Sequence, residues 1–262
     1  MSLKNKTIRD SYGDLLNMDN SGSGVSTSAL LVKDGHGNSS ALSISDDVVT
    51  IRPVNDDTTG AFIVRAVGGT YNFKVDSTND IVTASGNIVN TQYARFNIGA
   101  TQSASFSANR HFPIPFDSAM FSDSSNPPSF GTGTDPATTY TTSDATANRA
   151  SDIVPLLWYV HDDIEIDAVY GIQGSDNATG DVTRMHLMSY VYTSGDAASL
   201  KAGGLLAHNA DITDAGCEQV YSSAWTVDEG TVSAGTAILA FFRSDSISSD
   251  YSINITVKYH LT

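Results

Sequence analysis

Very short apolar runs alternate with Asp, Asn, Ser and Gly turns between residues 41 and 98. Leu42-Ser-Ile44 precedes Asp46-Asp47, Val48-Val-Thr-Ile51 precedes Asn55-Asp-Asp57, and Phe62-Ile-Val64 precedes Gly68-Gly69. Tyr71-Asn-Phe73-Lys-Val75 then runs into Ser77-Thr-Asn-Asp80 before Ile81-Val82. Strands this short, with one apolar face each, do not bury that face by themselves, because an isolated hairpin is marginal in water. Run as extended chain at about 3.3 Å per residue, the segment is a thin rod. The pattern therefore predicts a β-rich stalk or connector over 39–90 that needs several chains wound together.

The segments on either side differ. Residues 1–38 are polar, Gly-rich and weakly patterned, with apolar clusters only at Leu15-Leu16 and Ala29 to Val32; they read as a docking arm. Residues 91–150 open on a strand at Tyr93 to Phe96, then turn irregular, and five of the seven prolines (Pro113, Pro115, Pro127, Pro128, Pro136) fall here. Such a stretch forms no long regular element, and the loop from Asp123 to Thr142 is expected as an interaction surface.

Strand signals are clearest from 151 onward. Ile164, Ile166, Ala168, Tyr170 and Ile172 alternate with polar positions and are expected on one face. Tyr251, Ile253, Ile255, Val257, Tyr259 and Leu261 do the same in the last segment, the mark of a half-buried antiparallel strand. Thr236 to Phe242 is continuously apolar and predicts a central strand covered on both faces. With Val182 to Tyr192 and a weaker run from Val220 to Thr226, the spacing predicts a jelly-roll-like β-sandwich head over 91–262 in an all-β chain.

The chain has 262 residues, enough to bury a sizeable core. Fourteen Lys plus Arg stand against 29 Asp plus Glu, a net charge of -15. A surface so acidic repels phosphate backbones, so nucleic acid is not an expected partner. Cys217 is the only cysteine, which excludes an intrachain disulfide and a Cys-built zinc site; it reads as a small buried hydrophobe. The segment Met1 to Asp10 carries positive charge without an apolar stretch behind it, and no window reaches the roughly 18 apolar residues of a membrane span. A soluble protein made in a cytoplasm, with no membrane insertion, is the expectation.

Chemistry-bearing motifs are scarce. His161-Asp162-Asp163 lies between two apolar runs and reads as a turn. The six histidines form neither a His-Glu-x-x-His pattern nor a tight pair, and no nucleophile elbow, phosphate loop or dinucleotide fingerprint occurs. Neither catalysis nor a cofactor or metal is expected. Asn55 to Asp57 and Ser77 to Asp80 carry oxygen ligands, yet Asx residues in turns bond their own backbone. The sequons at Asn38, Asn177 and Asn254 are the kind a Ser/Thr-rich chain produces by chance. Among the aromatics, Trp158 and Tyr159 read as core, while Tyr190 and Tyr192, on one face of a mixed strand, are the residues expected to contact a glycan.

The run Lys6-Thr-Ile-Arg-Asp-Ser-Tyr-Gly-Asp-Leu-Leu16, then Val32 to Gly35 and Ala41 to Ser45, resembles the N-terminal module of virion fibre and decoration proteins of marine tailed bacteriophages. Met185 to Tyr190, Ala240 to Asp245, Ser249 to Ile253 and Val257 to His260 look like the C-terminal domain of the same group. The resemblance implies a homotrimer on the virion surface, made in the host cytoplasm. An N-terminal part, here 1–38, docks on another virion protein of capsid or tail, a stalk intertwines three chains, and a sandwich head faces outward. Threefold association would then supply the missing core, with Leu42, Ile44, Val49, Ile51, Phe62, Val64, Phe73 and Val75 at the seam. At 262 residues, without the long repeats of a shaft, a capsid spike or head fibre is favoured over a tail fibre.

Overall fold

A computed structural model describes residues 16–18, 23–85, 87–101, 107–117, 128–143, 148–175, 179–216, 218–246 and 251–262. Half of the expected docking arm (residues 1–15 and 19–22), Cys217, the sequon Asn177 and residues 118–127 of the proline-rich loop lie outside the described residues. The chain is all-β: among the described residues the one α-helix is a single turn, α1 (Ala150–Ile153), continued by a 3-10 turn at Val154–Leu156. Among the described residues no helix is long and apolar enough to cross a membrane. Two compact units are formed, Met1–Val89 and Asn90–Thr262.

The first unit contains two four-stranded antiparallel meanders. β1 (Asn17–Met18), β2 (Leu30–Lys33), β3 (Ser39–Ile44) and β4 (Val49–Ile51) pair in chain order. The described end of the expected arm is thus part of a sheet, since Leu30 pairs Ile44 and Leu31 pairs Ser43. The turn that makes this possible is built by Asp34, whose Oδ1 accepts the backbone N–H of His36 at 2.9 Å and of Asn38 at 2.8 Å. β5 (Phe62–Arg65), β6 (Tyr71–Asp76), β7 (Ile81–Ala84) and β8 (Asn87–Ile88) form the second meander. Asp76 Oδ1 accepts the N–H of Thr78 and of Asn79, both at 3.1 Å, so the Ser77 to Asp80 segment closes on its own backbone.

The second unit is a sandwich of two antiparallel sheets. In the larger, β10 (Phe112–Ile114), β19 (Thr236–Ser244), β13 (Val182–Tyr192), β14 (Leu200–His208) and β17 (Thr226–Val227) lie side by side. β11 (Trp158–Tyr159) pairs with β19, and β15 (Ile212–Thr213) pairs with β13. The smaller orders β16 (Gln219–Ala224), β12 (Ile164–Ser175), β20 (Tyr251–Leu261) and β9 (Thr91–Thr101), with β18 (Thr231–Val232) beside β12. Phe96, Val169, Ile255 and Val257 from the small sheet meet Met185, Leu187, Ile238, Ala240 and Phe242 from the large one in a single core.

β19 is covered on both faces, as its unbroken apolar run predicts. Its alternate residues Ala237, Leu239 and Phe241 belong to a second core on the other side of the large sheet, with Met188, Tyr190 and Leu200. The cover there is the proline-rich segment itself. Phe130 and Tyr140 are buried, the Phe130 N–H donates to the His111 carbonyl at 2.9 Å, the His111 N–H donates to the Gly131 carbonyl at 3.0 Å, and the Tyr140 N–H donates to the Leu200 carbonyl at 2.9 Å. The described portion of the expected interaction loop is therefore a structural lid on the sheet.

One alternation breaks. β12 is irregular between Ile166 and Ala168, and the extra residue turns every later side chain to the opposite face. Ile164 and Ile166 point into the core, whereas Tyr170 and Ile172 are exposed and Val169, Gly171 and Gln173 take the inward positions. The expectation that all five apolar residues share one face is corrected by that bulge.

Candidate functional site

Three surfaces stand out from the packed interior. The first belongs to the meanders. Residues directly opposite each other in antiparallel strands share a face, and the eight residues expected at the seam pair off in this way. Leu42 faces Ile51 and Ile44 faces Val49; Phe62 faces Val75 and Val64 faces Phe73. The second set continues across β7 to Val82 and Ala84, and the Phe62 and Phe73 rings meet edge to face at 6.1 Å. These strips remain open: Val49 is 64% exposed, Phe62 40% and Val64 43%. Among the described residues of the unit, Val32 is the one buried hydrophobic side chain.

The second surface is the outer face of the small sheet. Below the β12 bulge, cross-strand rows run Ala224, Tyr170, Thr256, Arg95 and then Ser222, Ile172, Asn254, Asn97. A third row, Val220, Gly174 and Ser252, follows. In a chain with 29 Asp and Glu, these eleven positions hold no carboxylate and a single charge, Arg95.

The third is a cleft of about 500 Å³ in the second unit. Its floor is apolar, from Ile153, Leu157 and Leu200; one wall is the hairpin turn between β13 and β14, with Gly195 and Asp196. Gly195 takes φ +77°, which lets the turn close tightly. Tyr159 and Tyr192 form a corner, with ring centroids 5.7 Å apart and planes at 77°. They are 41% and 39% exposed. Asp196 Oδ1 accepts the Ala198 N–H at 3.0 Å, and its Oδ2 takes the Lys201 ammonium at 2.5 Å. The Lys201 bond foremost, then the Ala198 N–H, hold this carboxyl below the usual carboxylate range.

Of the two tyrosines expected at a glycan, the structure exposes one. Tyr190 and Tyr192 do share a face, but the lid reaches Tyr190 and stops short of Tyr192. Tyr190 is 1% exposed, packs on Phe130 and Phe241, and donates its hydroxyl to the Ala137 carbonyl at 2.9 Å. Burial pushes its phenol well up. Tyr159, read as core from its apolar neighbours, stands in its place beside Tyr192. Trp158 is buried in the main core, and Trp225, also buried, donates its indole N–H to Ser223 Oγ at 3.2 Å. Asp163, at the His161 to Asp163 bend, accepts the Ala234 N–H at 2.8 Å.

A pair of histidines missed by sequence spacing is brought together by β10 and β13. His111 and His186 are both fully buried, with rings edge to face at 5.0 Å. His111 Nε2 bonds the Gly133 carbonyl at 3.0 Å, and His186 Nε2 lies 3.6 Å from Asp135. Among the described residues no three His, Cys, Asp or Glu side chains converge as metal ligands.

Comparison with known protein families finds no match, and none of the curated proteins matches. Among solved structures, the chain is similar to Eiger TNF from S. frugiperda at 12% identity, over 64% of this chain and 92% of that one, with a TM-score of 0.27.

Proposed function

We propose that this protein is a structural spike on the surface of a bacteriophage particle, working as a homotrimer. The first unit serves attachment, residues 1–38 contacting another virion protein, and the meander strips of three chains close on one another as an intertwined stalk. The jelly-roll-like second unit is the part presented to the surroundings. The observation that carries this reading is the first unit's lack of a core: two sheets with open apolar strips and one buried hydrophobic side chain among the described residues. Apolar surface left open in this way marks a place where another chain sits. The carboxylate-free face of the small sheet supports the same conclusion, since copies of a chain carrying -15 pack best where neither contributes acid. Sedimentation equilibrium of the full chain tests it. The expected mass at about 150 mM salt, where repulsion between the acidic chains is screened, is three times 27.7 kDa, and a stable monomer at micromolar concentration under those conditions overturns it.

Capsid decoration is distinguished from a tail position by whole-particle reconstruction, through the symmetry axis on which the density lies. The cleft favours a compatible second reading, a receptor-binding component of tail-fibre type whose head holds a host-surface glycan.

A further inference from the structure

The geometry points to the Tyr159 and Tyr192 cleft as a binding site for an uncharged saccharide, stacked in the tyrosine corner and hydrogen-bonded through its hydroxyls to Asp196. This deepens the glycan-binding reading and rests on it; the second unit alone supplies every residue involved, so the trimer is a separate matter.

Size, shape and chemistry agree. About 500 Å³ lies within the range of small-molecule sites. A pyranose has a face of C–H bonds and a rim of hydroxyls. The face suits an aromatic ring, whose π-cloud attracts the weakly positive hydrogens, and two half-exposed rings at 77° offer such a surface on two sides. The apolar floor continues that surface. The rim needs a fixed polar acceptor, and Asp196 is the one charged side chain of the lining. Each of its oxygens has one hydrogen bond in place and acceptor capacity left over. Because Lys201 and the Ala198 N–H already fix the carboxylate, little ordering is left to the moment of binding.

Charge decides between ligand classes. A nucleotide shares the stacking chemistry but brings phosphate, and a sialic or uronic acid brings a carboxylate; both meet Asp196 within a chain of net charge -15. A free cation is served no better, since Lys201 already occupies Asp196 Oδ2. Neutral hexoses and N-acetylhexosamines remain.

The test applies the full chain to an array of neutral hexose and N-acetylhexosamine oligosaccharides beside sialylated and uronic-acid counterparts. It repeats the measurement with Tyr192→Ala, Tyr159→Ala and Asp196→Asn, each checked for an unchanged thermal unfolding midpoint. The expected result is binding confined to neutral glycans, weakened about tenfold or more by each alanine variant and retained by Tyr192→Phe, which keeps the ring. Binding of acidic glycans alone overturns the inference and leaves the glycan-binding reading standing. Neutral binding that survives all three variants places the site elsewhere and overturns the inference as well. Silence on every glycan overturns both.

Discussion

His186 sits under the lid with no solvent contact, beside His111 and within 3.6 Å of Asp135. Burial first, and then the neighbouring His111 and Arg184, push its pKa down from 6.5 to about 3. The folded protein therefore refuses a proton that the unfolded chain accepts. Above about pH 6.5 the residue is neutral in both states and adds nothing to the pH dependence. Between there and about pH 3 the unfolded state gains the proton, so stability falls by up to about 1.4 kcal/mol for each pH unit. Below both values the contribution is constant. Urea unfolding at pH 7, 6, 5 and 4 should show that decline, and His186→Leu should flatten it; equal slopes in the two proteins would show that the imidazole is solvated. A neighbouring position gives a smaller effect. Tyr190→Phe removes the bond to Ala137 while keeping the ring, and the unfolding free energy should drop by about 1 kcal/mol. These residues also show what a sequence conceals. Period-2 alternation placed Tyr190 and Tyr192 on one face, correctly. Which of them a lid covers depends on Phe130 and Tyr140, fifty to sixty positions away in a segment with no periodicity of its own, so the exposed partner of Tyr192 turned out to be Tyr159.

Elements with strong periodicity were the legible part of the fold. β20 keeps Tyr251, Ile253, Ile255 and Val257 inward, and β19 is apolar on both faces because it has a core on each side. Where one residue is inserted, as in β12, alternation gives the right strand and the wrong face, and no composition signal announces the insertion. The lid was illegible for a different reason: its docking is made by backbone bonds and by Gly203 on β14. A Cβ on Gly203 would come 2.7 Å from Tyr190 Cε1 and 2.8 Å from Thr138 Cα. The second atom is backbone and cannot rotate away, so Gly203→Ala should force the lid outward. A cost of about 1–3 kcal/mol is expected, with loss of amide protection at Tyr140 and Gly203 in hydrogen exchange; unchanged protection would mean that the lid is not seated on β14. The outer face of the small sheet makes its own prediction. Ile172→Asp adds a carboxylate to a row that lacks one without touching the core. The oligomer should weaken about tenfold or more in sedimentation while the unfolding midpoint of the separated chain holds. An unaltered mass distribution would remove this face from the interface.

At the scale of the whole molecule, charge and apolar surface oppose each other. Three chains bring together 3 × -15, or -45, with only 14 Lys and Arg per chain available for pairing. Association through open apolar strips has to overcome that repulsion, which acts over a Debye length of about 30 Å at 10 mM salt and about 8 Å at 150 mM. Raising salt should therefore tighten the assembly. A seam built from ion pairs would respond in the opposite sense, because screening weakens attraction between unlike charges just as it weakens repulsion between like ones. Sedimentation at fixed protein concentration across this range should move mass from monomer at the low end to trimer at the high end. Adding Phe62→Ser with Val64→Ser should displace the whole curve towards monomer while keeping its upward slope, since those side chains contribute burial and no charge. A downward slope would assign the interface to ion pairs, and a curve that the double variant leaves in place would show that the meander strips are covered by something other than a second copy of this chain.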